Sequence, residues 1–179
     1  MAQDNTQSFS EIPEYPESYE SGKIVKRLID GLGYRYYWAS EGLREEDLSY
    51  KPSPDARDML STLVHIYGLS ETIVNASLNK PNIRPSDYST LTYEELRQGT
   101  LANLDMASKA MENMSAENVS NLQVTFKNGE NERSSSYWHM INGPISDAIY
   151  HIGQIVTFRR TSGNPMNPKV NVFQGKNRS

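Results

Sequence analysis

The sequence predicts an all-α protein, a four-helix bundle with a short extended excursion between its third and fourth helices. Apolar residues recur at spacings of three and four along four long segments, which is typical of the buried face of a helix. The one stretch with strand-like alternation is short, and there is no internal repeat or long heptad run. Four such helices bury their apolar faces by packing against one another.

The first two helices are separated by a break that contains prolines. The first helix begins near Ser21, and its apolar stripe comprises Val25, Leu28, Ile29, Leu32, Tyr36, Ala39 and Leu43. Segment 51–55 interrupts the pattern, and either Ser53 or Asp55 can cap the next helix. We expect that second helix from about residue 56 to residue 78, with a strongly apolar middle.

The third helix has a clear start signal. Thr92-Tyr93-Glu94-Glu95 is a capping box, in which the threonine and the second glutamate satisfy each other's backbone N–H groups. Apolar positions on one face then continue the helical period. We expect this helix to end near Ser115.

A short alternating stretch follows the third helix. Its apolar positions are Leu122, Val124 and Phe126, and the Asn128-Gly129 pair after them favours a type I′ hairpin turn. The return arm, residues 130–135, is polar and poor in strand formers. We therefore expect an extended excursion here and no real sheet.

The last helix carries the densest pattern. It either begins near Ser136 and kinks at Gly143-Pro144, or it starts afresh with Asn142 as its cap. We expect it to run to about residue 161 or 162, because Gly163-Asn164-Pro165 is a strong stop signal.

Composition limits the possible functions. The net charge is −4, the apolar fraction is 36%, and there are no cysteines, which excludes thiolate metal sites and a cysteine nucleophile. We expect no membrane span, no signal peptide and a cytoplasmic location. No nucleic-acid partner is expected either, because no basic patch is evident. The disfavoured alternative is a basic face assembled from Arg159, Arg160, Lys169 and Lys176.

The domain organisation follows from these patterns. Residues 1–18 contain two prolines and mostly polar side chains, so we expect an extended N-terminal arm. Residues 19–165 form the bundle, and residues 166–179 form a C-terminal tail with little pattern.

Three residues are candidate metal ligands. Asp147 and His151 are four residues apart, so on a helix both side chains project from one face, about 6 Å apart. His65 lies in the middle of the second helix, where an imidazole in apolar surroundings needs a hydrogen-bond partner or a metal. Together they can bind one Zn²⁺, Ni²⁺, Fe²⁺ or Mn²⁺ ion and leave a coordination position open. In the alternative, His65 is a hydrogen-bonded core residue.

Five further residues are weaker candidates for lining the pocket or holding the ligands in place: Gln154, Asn142, Tyr150, Arg159 and His139. Gln154 follows His151 by about one turn. His139 lies about 120° from His151 around an ideal helix, so it reaches the site only if the Gly143-Pro144 break redirects it. Arg159 can instead neutralise the C-terminal end of the helix dipole.

Two segments resemble the DinB-like proteins. The second helix does so through Leu48-Ser49-Tyr50-Lys51-Pro52 and Leu63-Val64-His65-Ile66. The last helix does so through the segment 147–155, Asp-Ala-Ile-Tyr-His-Ile-Gly-Gln-Ile, and through the segment 159–165, Arg-Arg-Thr-Ser-Gly-Asn-Pro. The resemblance covers about residues 20–165.

This resemblance implies a four-helix bundle with one divalent metal held by side chains of the second and fourth helices. The usual ligands are three histidines, which fall on positions 65, 147 and 151; this chain has Asp at position 147. It further implies a homodimer and a metal-dependent enzyme that acts on a small molecule. The reaction would be S-transfer from a low-molecular-weight thiol or, as second choice, hydrolysis. The alternative is a non-catalytic ligand-binding or interaction bundle.

Overall fold

The computed structural model describes residues 9–179, so the first eight residues of the expected N-terminal arm lie outside the described part. The chain is mostly helical, as predicted, and carries a small three-stranded sheet. The elements in chain order are α1 Ser21–Ser40, α2 Glu45–Leu48, α3 Met59–Ser77, β1 Asn82–Ile83, α4 Tyr93–Met111, α5 Ala116–Asn121, β2 Gln123–Asn128, β3 Asn131–Ser136, α6 Trp138–Met140, a π-helical turn Ile141–Ile145 and α7 Ser146–Thr161.

The long helices share one apolar core. Helix α4 packs against α1 and α3, and α7 packs against the same two helices. Buried side chains from all four meet between them, including Ile29, Leu32, Leu63, Ile66, Leu101, Leu104, Ile152 and Ile155. Burying one such side chain contributes about 1.5–3 kcal/mol relative to leaving it exposed, so this core is the main source of stability.

Two predicted helix boundaries are wrong by a few residues. Helix α3 is capped by Asp58, whose carboxylate accepts a first-turn backbone N–H at 2.7 Å, and not by either of the two residues predicted. Helix α4 ends at Met111, earlier than expected. The reason is that the Ser115 hydroxyl accepts the N–H of Asn118 at 3.1 Å and so begins the separate helix α5.

The expectation that segment 122–136 forms no real sheet is wrong. Strands β2 and β3 pair antiparallel over six residues each, and β1 pairs parallel with β2. Strand β3 is polar because it faces solvent. In addition to the backbone hydrogen bonds, the hydroxyls of Thr125 and Ser134 form a 2.8 Å bond across the two strands. The loop is Gly129-Glu130, and of these two only Gly129 has a positive φ, +57°. A type II′ turn has this pattern, whereas the predicted type I′ turn needs two positive φ values.

Strand β1 ties the loop between α3 and α4 to the hairpin. Its buried Asn82 donates its side-chain amide to Thr125 O at 3.0 Å and accepts from Asn75 Nδ2 at 3.1 Å. The next contact is the N–H of Arg84, which donates to Lys127 O at 2.8 Å. The backbone of this loop is therefore fixed on both sides of its strand.

The chain enters α7 through a kink. Gly143, with φ −95° and ψ −108°, is non-helical within the π-helical turn, and Pro144 follows it. Of the two predicted alternatives the structure has the kinked one, because α6, the turn and α7 follow without a gap. The kink places Asp147 in the first turn of α7.

A polar cluster joins α2 to the end of α7. The buried carboxylate of Asp47 accepts bonds from Arg44 at 2.9 Å, from the Ser162 hydroxyl at 2.6 Å and from Asn164 Nδ2 at 2.6 Å. Burial raises the pKa of Asp47, but these hydrogen bonds outweigh burial and hold the pKa well below its usual range.

The segments before and after the helices pack against α1. Phe9 is buried against Gly33, where an added Cβ would lie 2.4 Å from the phenyl ring. The N–H of Ile12 donates to Gly175 O at 2.7 Å, which joins the two terminal segments to each other.

Candidate functional site

His65 and Asp147 face each other across the α3–α7 contact. His65 Nε2 lies 3.0 Å from Asp147 Oδ2, and both side chains are partly exposed, at 33% and 41%. His65 occupies this position because Leu63, two residues before it, and Ile66, directly after it, turn into the core. The imidazole is thereby held at the boundary between the core and solvent.

His151 completes the cluster from the next turn of α7. Its Nε2 lies 3.3 Å from the other oxygen of Asp147, Oδ1, as the spacing of four residues predicts. The rings of His65 and His151 meet edge to face with their centroids 4.5 Å apart. One donor atom from each of the three residues lies within 4.8 Å of the other two.

Gln154 fixes the orientation of the His151 ring. Its Oε1 lies 2.9 Å from His151 Nδ1. Since an amide oxygen can only accept, this contact assigns the proton of a neutral ring to Nδ1 and leaves a lone pair on Nε2. Tyr150 is largely exposed and contacts the same ring edge to face at 5.3 Å.

The donor set fits a divalent cation. His151 Nε2 lies 3.3 Å from a carboxylate oxygen of Asp147, and one divalent cation can bind both atoms. Metal–ligand bonds of about 2.0–2.2 Å place two ligands of a tetrahedral ion roughly 3.3–3.6 Å apart, and the two contacts with Asp147, at 3.0 and 3.3 Å, lie close to that range.

A groove of about 490 Å³ opens beside His65. Its lining is Arg57, Ser61, Val64, His65, Gly68, Leu69, Thr72, Arg84, Ser86, Tyr88, Phe126 and Pro144. Helix α3, the loop after β1, the hairpin and the kink before α7 all contribute to it. A small molecule in this groove would lie against one of the three clustered residues.

Three of the weaker candidates lie outside this cluster. His139 and Asn142 are exposed, and neither belongs to the metal-competent group found among residues 9–179. Arg159 is buried, and its guanidinium donates to Ala39 O at 3.0 Å, to Glu41 O at 2.7 Å and to further carbonyls. Arg159 therefore satisfies the C-terminal carbonyls of α1. The sequence-based prediction instead places its charge at the C-terminal end of its own helix, α7.

Sequence reasoning missed the groove residues outside the helices. Arg84 and Tyr88 lie in the loop after β1, and Phe126 lies on β2. The loop has no hydrophobic period, so no sequence signal placed it beside His65. The single hint was that Arg84 stands between Pro81 and Pro85, in a loop that separates two helices.

No helix within residues 9–179 combines the length and the apolar character that a membrane span requires.

Comparisons with known proteins found no matching family model, no matching curated protein and no matching solved structure. The resemblance to DinB-like proteins stays a prediction from its short motifs. The function must therefore be argued from the geometry of the site.

Proposed function

We propose that this protein is a divalent-metal-dependent enzyme whose ligands are His65, Asp147 and His151. The observation that carries the proposal is the convergence of three donor atoms, from two helices, within 4.8 Å of one another at the edge of a groove. Two imidazoles and one carboxylate suit Zn²⁺, Ni²⁺, Fe²⁺ or Mn²⁺, and three protein ligands leave room for a substrate.

We further propose that the fold is a DinB-like four-helix bundle. The mutual packing of α1, α3, α4 and α7 supports this, since each of the four contacts two of the others. The proposed ligands lie on the second and fourth of these long helices, as the resemblance implies. Homodimerisation and a cytoplasmic location stay predictions.

The reaction we favour is S-transfer from a low-molecular-weight thiol to an electrophile, with hydrolysis as second choice. A bound cation supplies Lewis acidity, which favours the deprotonated form of a thiol or water at neutral pH. In S-transfer the thiol sulfur forms a bond to the electrophilic carbon, the leaving group departs with its electron pair, and the thiol proton passes to solvent. The chain's own part is to hold three ligands in place, with Gln154 fixing the His151 ring.

A non-catalytic binding module is the alternative. The observation that favours it is the 3.0 Å approach of His65 Nε2 to Asp147 Oδ2, because a direct hydrogen bond there satisfies both groups without a metal.

Elemental analysis of tag-free protein separates the two proposals. We expect near-stoichiometric metal in the wild type and little in His151→Ala. His139→Ala is the matched control, because it removes an exposed imidazole outside the cluster, and it should keep its metal. No metal in the wild type after loading with Zn²⁺, Ni²⁺ and Mn²⁺ would reject the enzyme proposal in favour of the binding module. Retained metal would make thiol-transfer assays the next step.

A further inference from the structure

Arg84 is held in the groove by neutral groups. Its guanidinium donates to the Ser86 hydroxyl at 2.7 Å and to the Thr72 hydroxyl at 3.4 Å, and it lies 5.4 Å from the ring centroid of Phe126. The backbone of the same residue is fixed to the hairpin through Lys127 O. The cation is thus positioned in space before any ligand binds, which lowers the entropy that a ligand contact would cost.

Neither arginine of the groove has a carboxylate partner within residues 9–179. Arg57, at the entrance of α3, is exposed, and no ion pair joins it or Arg84 to an acid in this part of the chain. Glu71 accepts the hydroxyl of Tyr88, which also lines the groove. Asp58, beside Arg57, caps α3. A direct carboxylate partner is therefore missing at both guanidinium groups in this part of the chain, and Arg84 is the one that lies beside Phe126.

We propose that the groove binds a small organic anion, with its oxyanion group on Arg84 and its apolar part against Phe126. Guanidinium groups bind carboxylates and phosphates through paired, charge-assisted hydrogen bonds. The apolar part of the ligand has a matching wall, comprising Val64, Leu69, Phe126 and Pro144. His65 lies about two turns of α3 before Thr72 on the same groove, so the other end of the ligand extends toward the proposed metal.

This inference names a substrate class for the proposed enzyme, and it rests on that proposal only for the placement of the reactive end. The anion contact itself is formed by Arg84. It can therefore be measured in protein stripped of metal, where no cation other than the chain's own can bind the probe.

The test is calorimetric titration of metal-free protein with phenylacetate, phenyl phosphate and the neutral isostere phenylacetamide. We expect at least one of the two anions to bind about tenfold or more tightly than the amide, with an affinity that falls as salt is raised. Arg84→Gln should remove this preference. Arg160→Gln, which removes an exposed charge from α7 outside the groove, should keep it. The better of the two anions identifies the oxyanion.

Two results would overturn the inference: a wild type that does not prefer either anion to the amide, or an Arg84→Gln variant that keeps the preference. If circular dichroism shows that Arg84→Gln is misfolded, Arg84→Lys is decisive. It keeps the charge but lacks the paired donors, so the anion preference should fall at least about threefold; an unchanged affinity in that variant contradicts the proposal.

Metal content measured on the same preparations after metal loading and before stripping keeps the two proposals apart. Absence of metal together with a persistent anion preference rejects the metal site and leaves the anion site standing. Stoichiometric metal without an anion preference does the reverse.

Discussion

The hydrogen bond from His151 to Gln154 gives the sharpest test of the proposed metal site. Gln154→Leu removes the acceptor while keeping a side chain of similar size. The 2.9 Å contact has the length of a good N–H···O bond, whose net contribution is about 0.5–1.5 kcal/mol. Losing it also frees the ring to place its proton on Nε2, the atom proposed to bind metal. Since partners of this kind typically change metal affinity 10- to 100-fold, we expect a loss of about tenfold.

The assay is competition for Zn²⁺ against a chelator, with the histidine tautomer read by ¹⁵N NMR. Gln154→Glu keeps an acceptor and should bind at least as tightly as the wild type, because a carboxylate accepts more strongly than an amide. Gln98→Leu, an exposed position on α4, is the control and should change nothing. A Gln154→Leu variant with the wild-type affinity and an unchanged tautomer would show that Gln154 does not orient the ring.

Three further predictions concern stability. Metal at 100 times its dissociation constant should stabilise the protein by about 2.7 kcal/mol, a rise in Tm of roughly 5–10 °C for this size that His65→Ala should abolish in calorimetry. The pKa of Asp47 is depressed in the folded protein, so the stabilisation by its carboxylate is complete above the unfolded-state pKa of about 3.9 and is lost as the pH falls through the lower folded-state pKa. Urea unfolding should therefore show a loss of folding free energy between about pH 4 and pH 2. Asp47→Asn should lack this loss, since it has no carboxylate to protonate and is already less stable at pH 7. Gly22→Ala should destabilise by more than about 1 kcal/mol, because the new Cβ would lie 2.4 Å from Met114 O, whereas Gly153→Ala meets nothing within 4 Å and should stabilise α7 by about 0.5–1 kcal/mol; equal effects in thermal unfolding would contradict this.

The parts of the site that follow a local rule could be predicted from the sequence. Asp147 and His151 share a face because a helix has 3.6 residues per turn, and His65 was distinctive as an imidazole within an apolar run. Gln154 followed from the same period. The structure brings all four together. What the period could not supply was the rotation of α3 relative to α7, which depends on the packing of the whole core.

The errors arose where pairing is non-local. Strand β3 has few strand-forming side chains, yet it pairs because β2 supplies backbone partners and a glycine permits the tight loop. Arg84 was missed for a related reason. The position of Arg84 in the groove depends on the contact between β1 and β2, two segments more than 40 residues apart, as in the bond from Asn82 to Thr125. No local sequence pattern predicts a contact over that distance.

The proposed site has two parts, the metal ligands and Arg84, and different elements of the fold position each part. The proposed ligands lie on α3 and α7, whose packing belongs to the central core. Arg84 is supported by β1 and, through it, by a solvent-facing hairpin that shares little of that core. We therefore expect substitutions in the hairpin to alter the proposed anion preference without moving the proposed metal ligands. In these proposals the helices supply the metal chemistry, and the loop and the sheet select the ligand.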